Sequence, residues 1–172
     1  MIRVSVTGPE SCGKTTLAGQ LAAMFHASLV PEVSRDYLLK LGRPYTYNDV
    51  CEIARLQLQA EKQAQLRNPS IIICDTDLLV IKIWMEVKYG RSEPWIAEEL
   101  QLNPPHFYFL CLPDIPWQPD ALRENQHDRE ELLALYETEL VKLNANYFVV
   151  KGTGNDRTLS AARLISMLIK NV

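Results

Sequence analysis

The chain has 172 residues, 47% of them hydrophobic and 23% charged, with a formal net charge of −3. That length suits one domain around one hydrophobic core, and a mild acidity without any long basic run argues against a general nucleic-acid binder. No apolar stretch is long enough to span a bilayer, so neither nucleic acid nor a membrane is expected as a partner.

The first element is an apolar run, Ile2–Thr7, of strand character, followed by Gly8-Pro-Glu-Ser-Cys-Gly-Lys-Thr15 and then by Leu17, Leu21 and Met24 at helical spacing within Lys14–Phe25. Strand, G-x-x-x-x-G-K-T and helix together predict a phosphate-binding loop. Gly8 and Gly13 let the backbone curl so that successive N–H groups, those of Glu10, Ser11, Cys12 and Thr16 among them, point at phosphates. Lys14 brings a compact charge to the β and γ phosphates, and the Thr15 hydroxyl can ligate Mg²⁺. ATP and Mg²⁺ are therefore the expected cofactors. The chain enters a strand directly, without a charged-then-apolar signal pattern, and Cys12, Cys51, Cys74 and Cys111 show no close metal or redox spacing. Reduced thiols and a cytoplasmic location are expected. Cys12 lies inside the phosphate loop, where its oxidation would matter.

The second strand is expected at Ser28–Pro31, near the first. Glu32 follows it, placed to orient or deprotonate an acceptor hydroxyl, against the plainer reading of a solvent-facing strand end. Arg35 and Tyr37 can clamp or stack on the acceptor, Tyr37 equally being core. A long amphipathic helix is expected over Asp49–Leu66, with Val50, Ile53, Ala54, Leu58 and Leu66 broadly on one side. Ser70–Cys74 reads as a third strand, ending at Asp75. An acid there, downstream of such a loop, suits a Mg²⁺ site; as the alternative, it caps the helix that follows. Asp77 either caps the helix expected over Asp77–Tyr89 or accepts a substrate hydroxyl. Trp84, Tyr89, Trp95 and Trp117 are each core candidates, of which one or two can stack on an aromatic acceptor.

Residues 89–105 read as a short helix with loops, Phe107–Leu112 as the fourth strand, Asp128–Leu143 as a helix, Tyr147–Val150 as the fifth strand and Thr158–Ile169 as the last helix. Arg123 and Arg129 flank a polar stretch and suit a lid, around residues 118–130, that neutralises charge in the transition state. Arg157, in the loop after the fifth strand, is a candidate to stack on adenine or a first-turn helix residue. Continuous apolar strands alternating with helices predict an α/β fold, a five-stranded parallel sheet covered on both faces, in one domain over 1–172. Ligands in such a sheet bind beyond the carboxyl ends of the strands.

Neither Asn-Lys-x-Asp nor Asp-x-x-Gly occurs, which excludes a GTPase, and Thr76 stands after Asp75 where many ATP motors carry a Glu. A small-molecule kinase remains. The phosphate loop with Thr16-Leu17-Ala18, the Val30–Leu38 run with its Pro-Glu-x-x-Arg-x-Tyr, Asp75-Thr-Asp77, Lys82, Trp84, Tyr89-Gly90, and the Asp114-x-Pro-Trp117 stretch through Asp120, Arg123 and Arg129 together resemble the NadR-type nicotinamide riboside kinase domain. The resemblance implies a nucleoside-kinase-like P-loop fold, Mg-ATP as donor, and phosphoryl transfer to the ribose 5′-hydroxyl of nicotinamide riboside to give nicotinamide mononucleotide; another nucleoside or a vitamin as acceptor, or a non-catalytic ATP-binding module, stays open. No His-x-Gly-His motif occurs, so adenylyl transfer is not expected from this chain. Cys12 departs from the Ser expected at its position in the family.

Overall fold

The computed structural model describes residues 1–120 and 127–170. Five strands, β1 (Ile2–Thr7), β2 (Ser28–Val30), β3 (Ile71–Asp75), β4 (Phe107–Cys111) and β5 (Tyr147–Val150), form one sheet in the order β2-β3-β1-β4-β5, every pairing parallel. The expected five-stranded parallel architecture is thus present. One detail differs: β2 pairs with β3, not β1, and forms an edge. Among the described residues the helices are α1 (Lys14–Phe25), α2 (Val33–Leu41), α3 (Tyr47–Leu66), α4 (Leu78–Tyr89), α5 (Pro94–Leu102), α6 (Arg129–Lys142) and α7 (Gly154–Lys170).

The period-two alternation of the strands sorts the core into two layers. Val4 and Val6 of β1, Ile71 and Ile73 of β3, and Phe109 and Cys111 of β4 face α1 and α7, where they meet Leu17, Leu21 and Ile165. The opposite residues of β4, Tyr108 and Leu110, face Val50 and Ile53 of α3, Leu79 and Ile83 of α4, Ile96 of α5 and Leu140 of α6. Both faces are covered, so each strand must be apolar in both directions, and that is why the strands read as unbroken hydrophobic runs. Burying one such side chain contributes about 1.5–3 kcal/mol.

On the α3 side, β1 places Arg3, Ser5 and Thr7, all buried. Arg3 pairs with the buried Glu61 of α3 at 3.2 Å and donates to Asn103 O. Two helix starts follow simple chemistry. The Thr46 hydroxyl and amide both donate to the Asp49 carboxylate, which ties the N-cap residue to the first turn of α3. Pro94 opens α5, where its missing N–H costs nothing. The expected apolar face of α3 holds for Val50, Ile53 and Ala54 but not for Leu66, which is 84% exposed at the helix end. No described helix is long and apolar enough to cross a membrane.

Candidate active site

The phosphate loop joins β1 to α1. Gly8 has φ 131°, and a Cβ there would lie 2.7 Å from the Cys111 carbonyl oxygen, so only glycine lets the loop pass β4. Ser11 also has positive φ, at 53°, and Gly13 caps α1 in the left-handed region without a side-chain cap bond. The first-turn amides of α1 thus lie where an anion is favoured. Lys14 Nζ folds over the loop and donates to Gly8 O (2.9 Å) and Pro9 O (2.6 Å).

Asp75 closes β3 beside the loop. It is buried, its Oδ1 has no hydrogen-bond partner, and the neighbouring Thr15 hydroxyl favours its charged form. Burial, and then the charge of Glu32, push its carboxyl up to about 6. A hard cation beside this orphaned oxygen would favour the charged form. Thr15 and Asp75 therefore fit Mg²⁺, which takes one or two protein oxygens and completes its shell with water and phosphate. No three-residue His, Cys, Asp or Glu cluster able to hold a metal exists among the described residues.

A cavity of about 470 Å³ runs from Gly8–Thr16 past Glu32 and Arg35 to Trp84. Glu32 caps α2; Ser34 Oγ donates to its Oε1 at 2.7 Å, and the next amide, Val33 N, donates to Gln57 Oε1 at 3.1 Å. Arg35 reaches across to Asp120 at 2.7 Å. Trp84 Nε1 donates to the Tyr45 hydroxyl at 3.1 Å, the two rings meeting edge to face 5.0 Å apart. Arg129, from the start of α6, donates to Ile115 O (3.0 Å) and lies over the Trp117 ring. It also reaches Ser11 O at 3.4 Å, which brings its charge to the phosphate loop. Gln118 N donates to Ser11 Oγ at 3.0 Å, so residues 115–118 run across the same loop.

Lys14, Thr15, Thr16, Glu10, Glu32, Arg35 and Trp84 share this cavity. Asp75 and Arg129 lie off its wall beside the loop, and Tyr37, Asp77 and Arg157 also lie off it. Tyr37 donates to Asp49, whose carboxyl the Arg43 guanidinium and Thr46 hold well below its usual range. Asp77 is the N-cap of α4, accepting from Leu79 N at 3.1 Å, buried beneath β1 and β4 beside Ser5 and Tyr108; burial pushes it up to about 6. Of its two readings, the geometry here is that of the cap. Arg157 is buried and donates to Cys12 O (2.8 Å), Gly152 O (2.9 Å) and Asp114 (3.0 Å), so its guanidinium binds loop backbone and has no open face toward a base. Arg123 lies outside the described residues.

Sequence reasoning missed Ser34, Tyr45, Ile115, Gln118 and Tyr136, all of which line the cavity. Tyr136 carries the Leu132–Leu140 periodicity and so reads as core; Tyr45 sits in the segment between α2 and α3, where no pattern marks its direction.

Fold and site together define a phosphate-loop nucleotide-binding protein of nucleoside-kinase-like architecture. A sequence-family model described as an AAA domain matches residues 3–157, and the chain belongs to that family. The trifunctional NAD biosynthesis/regulator protein NadR of Salmonella typhimurium (strain LT2) is 27% identical over 173 residues, covering 96% of this chain and 42% of that protein. A solved structure of NadR protein in complex with NR superposes with a TM-score of 0.75 at 19% identity, over 96% of this chain and 51% of that one. Thymidylate kinase from Ehrlichia chaffeensis gives a TM-score of 0.67 at 14% identity, over 97% and 98% of the two chains. The chain thus spans about two fifths of the length of the curated relative it matches. These likenesses bear out the resemblance to the NadR-type domain and the P-loop fold.

Proposed function

We propose that this chain is an ATP-dependent kinase that transfers the γ-phosphoryl group to the ribose 5′-hydroxyl of nicotinamide riboside, giving nicotinamide mononucleotide. The observation that carries the reading is the single cavity joining the phosphate loop to Glu32 and on to an aromatic wall of Tyr45 and Trp84. A donor that held nucleotide alone would need no carboxylate facing its terminal phosphate and no aromatic chamber beyond. The sequence likeness to NadR over nearly the whole chain supports the choice of acceptor.

In this mechanism the loop amides and Lys14 hold the β and γ phosphates. Lys14 exchanges its two carbonyl partners for phosphoryl oxygens, which are stronger acceptors because they are charged. Glu32, fixed by Ser34, orients the 5′-hydroxyl and takes its proton as the oxygen bonds to the γ-phosphorus. The bond from phosphorus to the β–γ bridging oxygen breaks, and ADP leaves. Arg129, beside Ser11, lowers the cost of charge on the migrating group. Arg123 has the same role in this reading. Mg²⁺ held by Thr15 and Asp75 would screen the β and γ oxygens.

The test is ATP consumption against a panel of nucleosides and vitamins. Nicotinamide riboside should stimulate ADP release most, and Glu32→Ala should lower kcat by roughly 10²–10⁴-fold with little change in the KM for ATP. Turnover with every acceptor except nicotinamide riboside would reject the named substrate, and ATP binding without acceptor-dependent turnover would reject the kinase.

A further inference from the structure

The kinase reading makes no use of the thiol in the phosphate loop. Cys12 lines the cavity, yet its side chain packs in the same cluster as Cys111, the last residue of β4. Both side chains are fully buried, and the Cys111 thiol is the strongest influence favouring the Cys12 thiolate. Gly8 lies between the two segments, its hypothetical Cβ 3.3 Å from Cys12 Sγ and 3.2 Å from Cys111 N, so the absence of a side chain there brings loop and strand together. Lys14 Nζ is 4.0 Å from Cys12 Sγ, and as a thiol Cys12 donates to Pro9 O at 2.9 Å. Cys51 and Cys74 belong to other clusters.

We propose that Cys12 and Cys111 are a thiol modification site at which a peroxide forms a reversible disulfide that disables the phosphate loop. A nucleophilic thiol needs cations and donors around its sulfur, and a resolving thiol must lie beside it. Burial opposes the charged form of Cys12, but the Cys111 thiol, Lys14 and Arg157 outweigh it and bring Cys12 down to about 6. The same contact with Cys12, then burial, keeps Cys111 protonated, well above its ordinary value. One partner is thus the attacking thiolate and the other the resolving thiol.

The chemistry balances with hydrogen peroxide as oxidant. The Cys12 thiolate attacks one peroxide oxygen, the O–O bond breaks, and the hydroxide released takes up the thiol's proton as water. The sulfenic acid so formed is attacked by Cys111, the S–S bond forms, and a second water leaves. Two thiols lose two electrons and peroxide is reduced to two waters. The new bond draws Cys12 from the Pro9 carbonyl toward β4. It thereby fixes the stretch whose amides must face phosphate. That consequence rests on the phosphate-loop reading; the disulfide itself does not.

The experiment treats the purified full chain with hydrogen peroxide, with and without saturating Mg-ATP, then removes the oxidant. Intact mass, digestion without reductant, and Mg-ATP titration calorimetry follow. The expected product is lighter by two hydrogens, yields one peptide pair linked through Cys12 and Cys111, binds Mg-ATP at least about tenfold more weakly, and recovers with a phosphine reductant. Mg-ATP present during oxidation should slow the reaction. Cys111→Ala should give no linked pair and instead a Cys12 sulfenic acid trapped by dimedone. Absence of the Cys12–Cys111 pair in the unsubstituted protein overturns the proposal, whether or not the variant folds. A linked pair with unchanged Mg-ATP binding overturns the switch. If the reduced protein binds no Mg-ATP at all, the phosphate-loop reading fails instead, and the peptide map still decides the disulfide.

Discussion

Gly8 and Gly19 lie eleven residues apart and are opposite cases. A Cβ on Gly8 would collide with the Cys111 carbonyl at 2.7 Å in a backbone conformation, φ 131°, that side chains rarely adopt. On Gly19, in α1, it would meet nothing within 4 Å. Gly8→Ala should cost on the order of 3 kcal/mol, through strain and overpacking together, and should abolish Mg-ATP binding in whatever fraction folds. Gly19→Ala should instead stabilise α1 by about 0.5–1 kcal/mol, because alanine is the better helix former. Urea unfolding of both variants checks the pair; a stable Gly8→Ala protein that binds nucleotide would show that the loop has room the structure denies. The loop was legible in the sequence because its glycines and lysine occupy fixed offsets. The fate of Asp77 was not, since caps and hydroxyl acceptors draw on the same residue types, and only the bond from Leu79 N and the burial of Asp77 separate them here.

At the level of elements, α3 presses a charged pair onto the sheet. Glu61 is raised to about 8 by burial and by the nearby Asp77, against the pull of Arg3, with Glu99 of α5 adding to the rise. Cys74 of β3 and Tyr108 of β4 share its field, both raised well above their ordinary values mainly by burial. The sign follows from linkage. A carboxyl whose folded value exceeds its unfolded value holds its proton more firmly when folded, so its contribution is complete below about 4.5 and is lost as pH rises through about 8. Stability should therefore fall between about pH 5 and pH 8 by up to about 1.4 kcal/mol per pH unit for this one proton, and level off above that. Glu61→Gln, which keeps the shape and removes the proton, should flatten that slope. Urea midpoints at several pH values in this range would read it, and an unchanged slope in the variant would assign the effect elsewhere. The apolar strands and α1, α3, α4, α6 and α7 were visible in the sequence because each repeats an apolar period. α2 was not, because it buries no residue: it is set by the bond from Val33 N to Gln57 and by what its exposed turn carries.

Across the molecule, one side chain ties the last helix to the first loop. Arg157, on the opening turn of α7, donates to the Cys12 carbonyl 145 residues earlier and to Asp114 beyond β4, while Asp114 also accepts from Gly152 N. Three strand-end segments thus meet on one buried guanidinium. No local pattern could reveal this, since its main partners are backbone oxygens distant in sequence; the residue type alone suggests contact with a ligand. Removing it would leave the Cys12 carbonyl and Asp114 without their charged donor. Arg157→Ala should then destabilise the nucleotide-free protein by about 2–3 kcal/mol. It should also loosen the loop before any phosphate arrives. Ligand that binds only the folded form stabilises it by about 2.7 kcal/mol at a hundredfold excess over its dissociation constant. In the variant the same Mg-ATP concentration represents a smaller excess, so the thermal shift it produces should shrink as well as start from a lower midpoint. Arg157→Lys should not restore either quantity, because one ammonium cannot reach carbonyls and carboxylate on separate segments as a planar fork does. Thermal unfolding of the three proteins across an Mg-ATP series separates the two effects. A variant with a lowered midpoint but an undiminished shift would make Arg157 a support of α7 alone, with no part in shaping the loop.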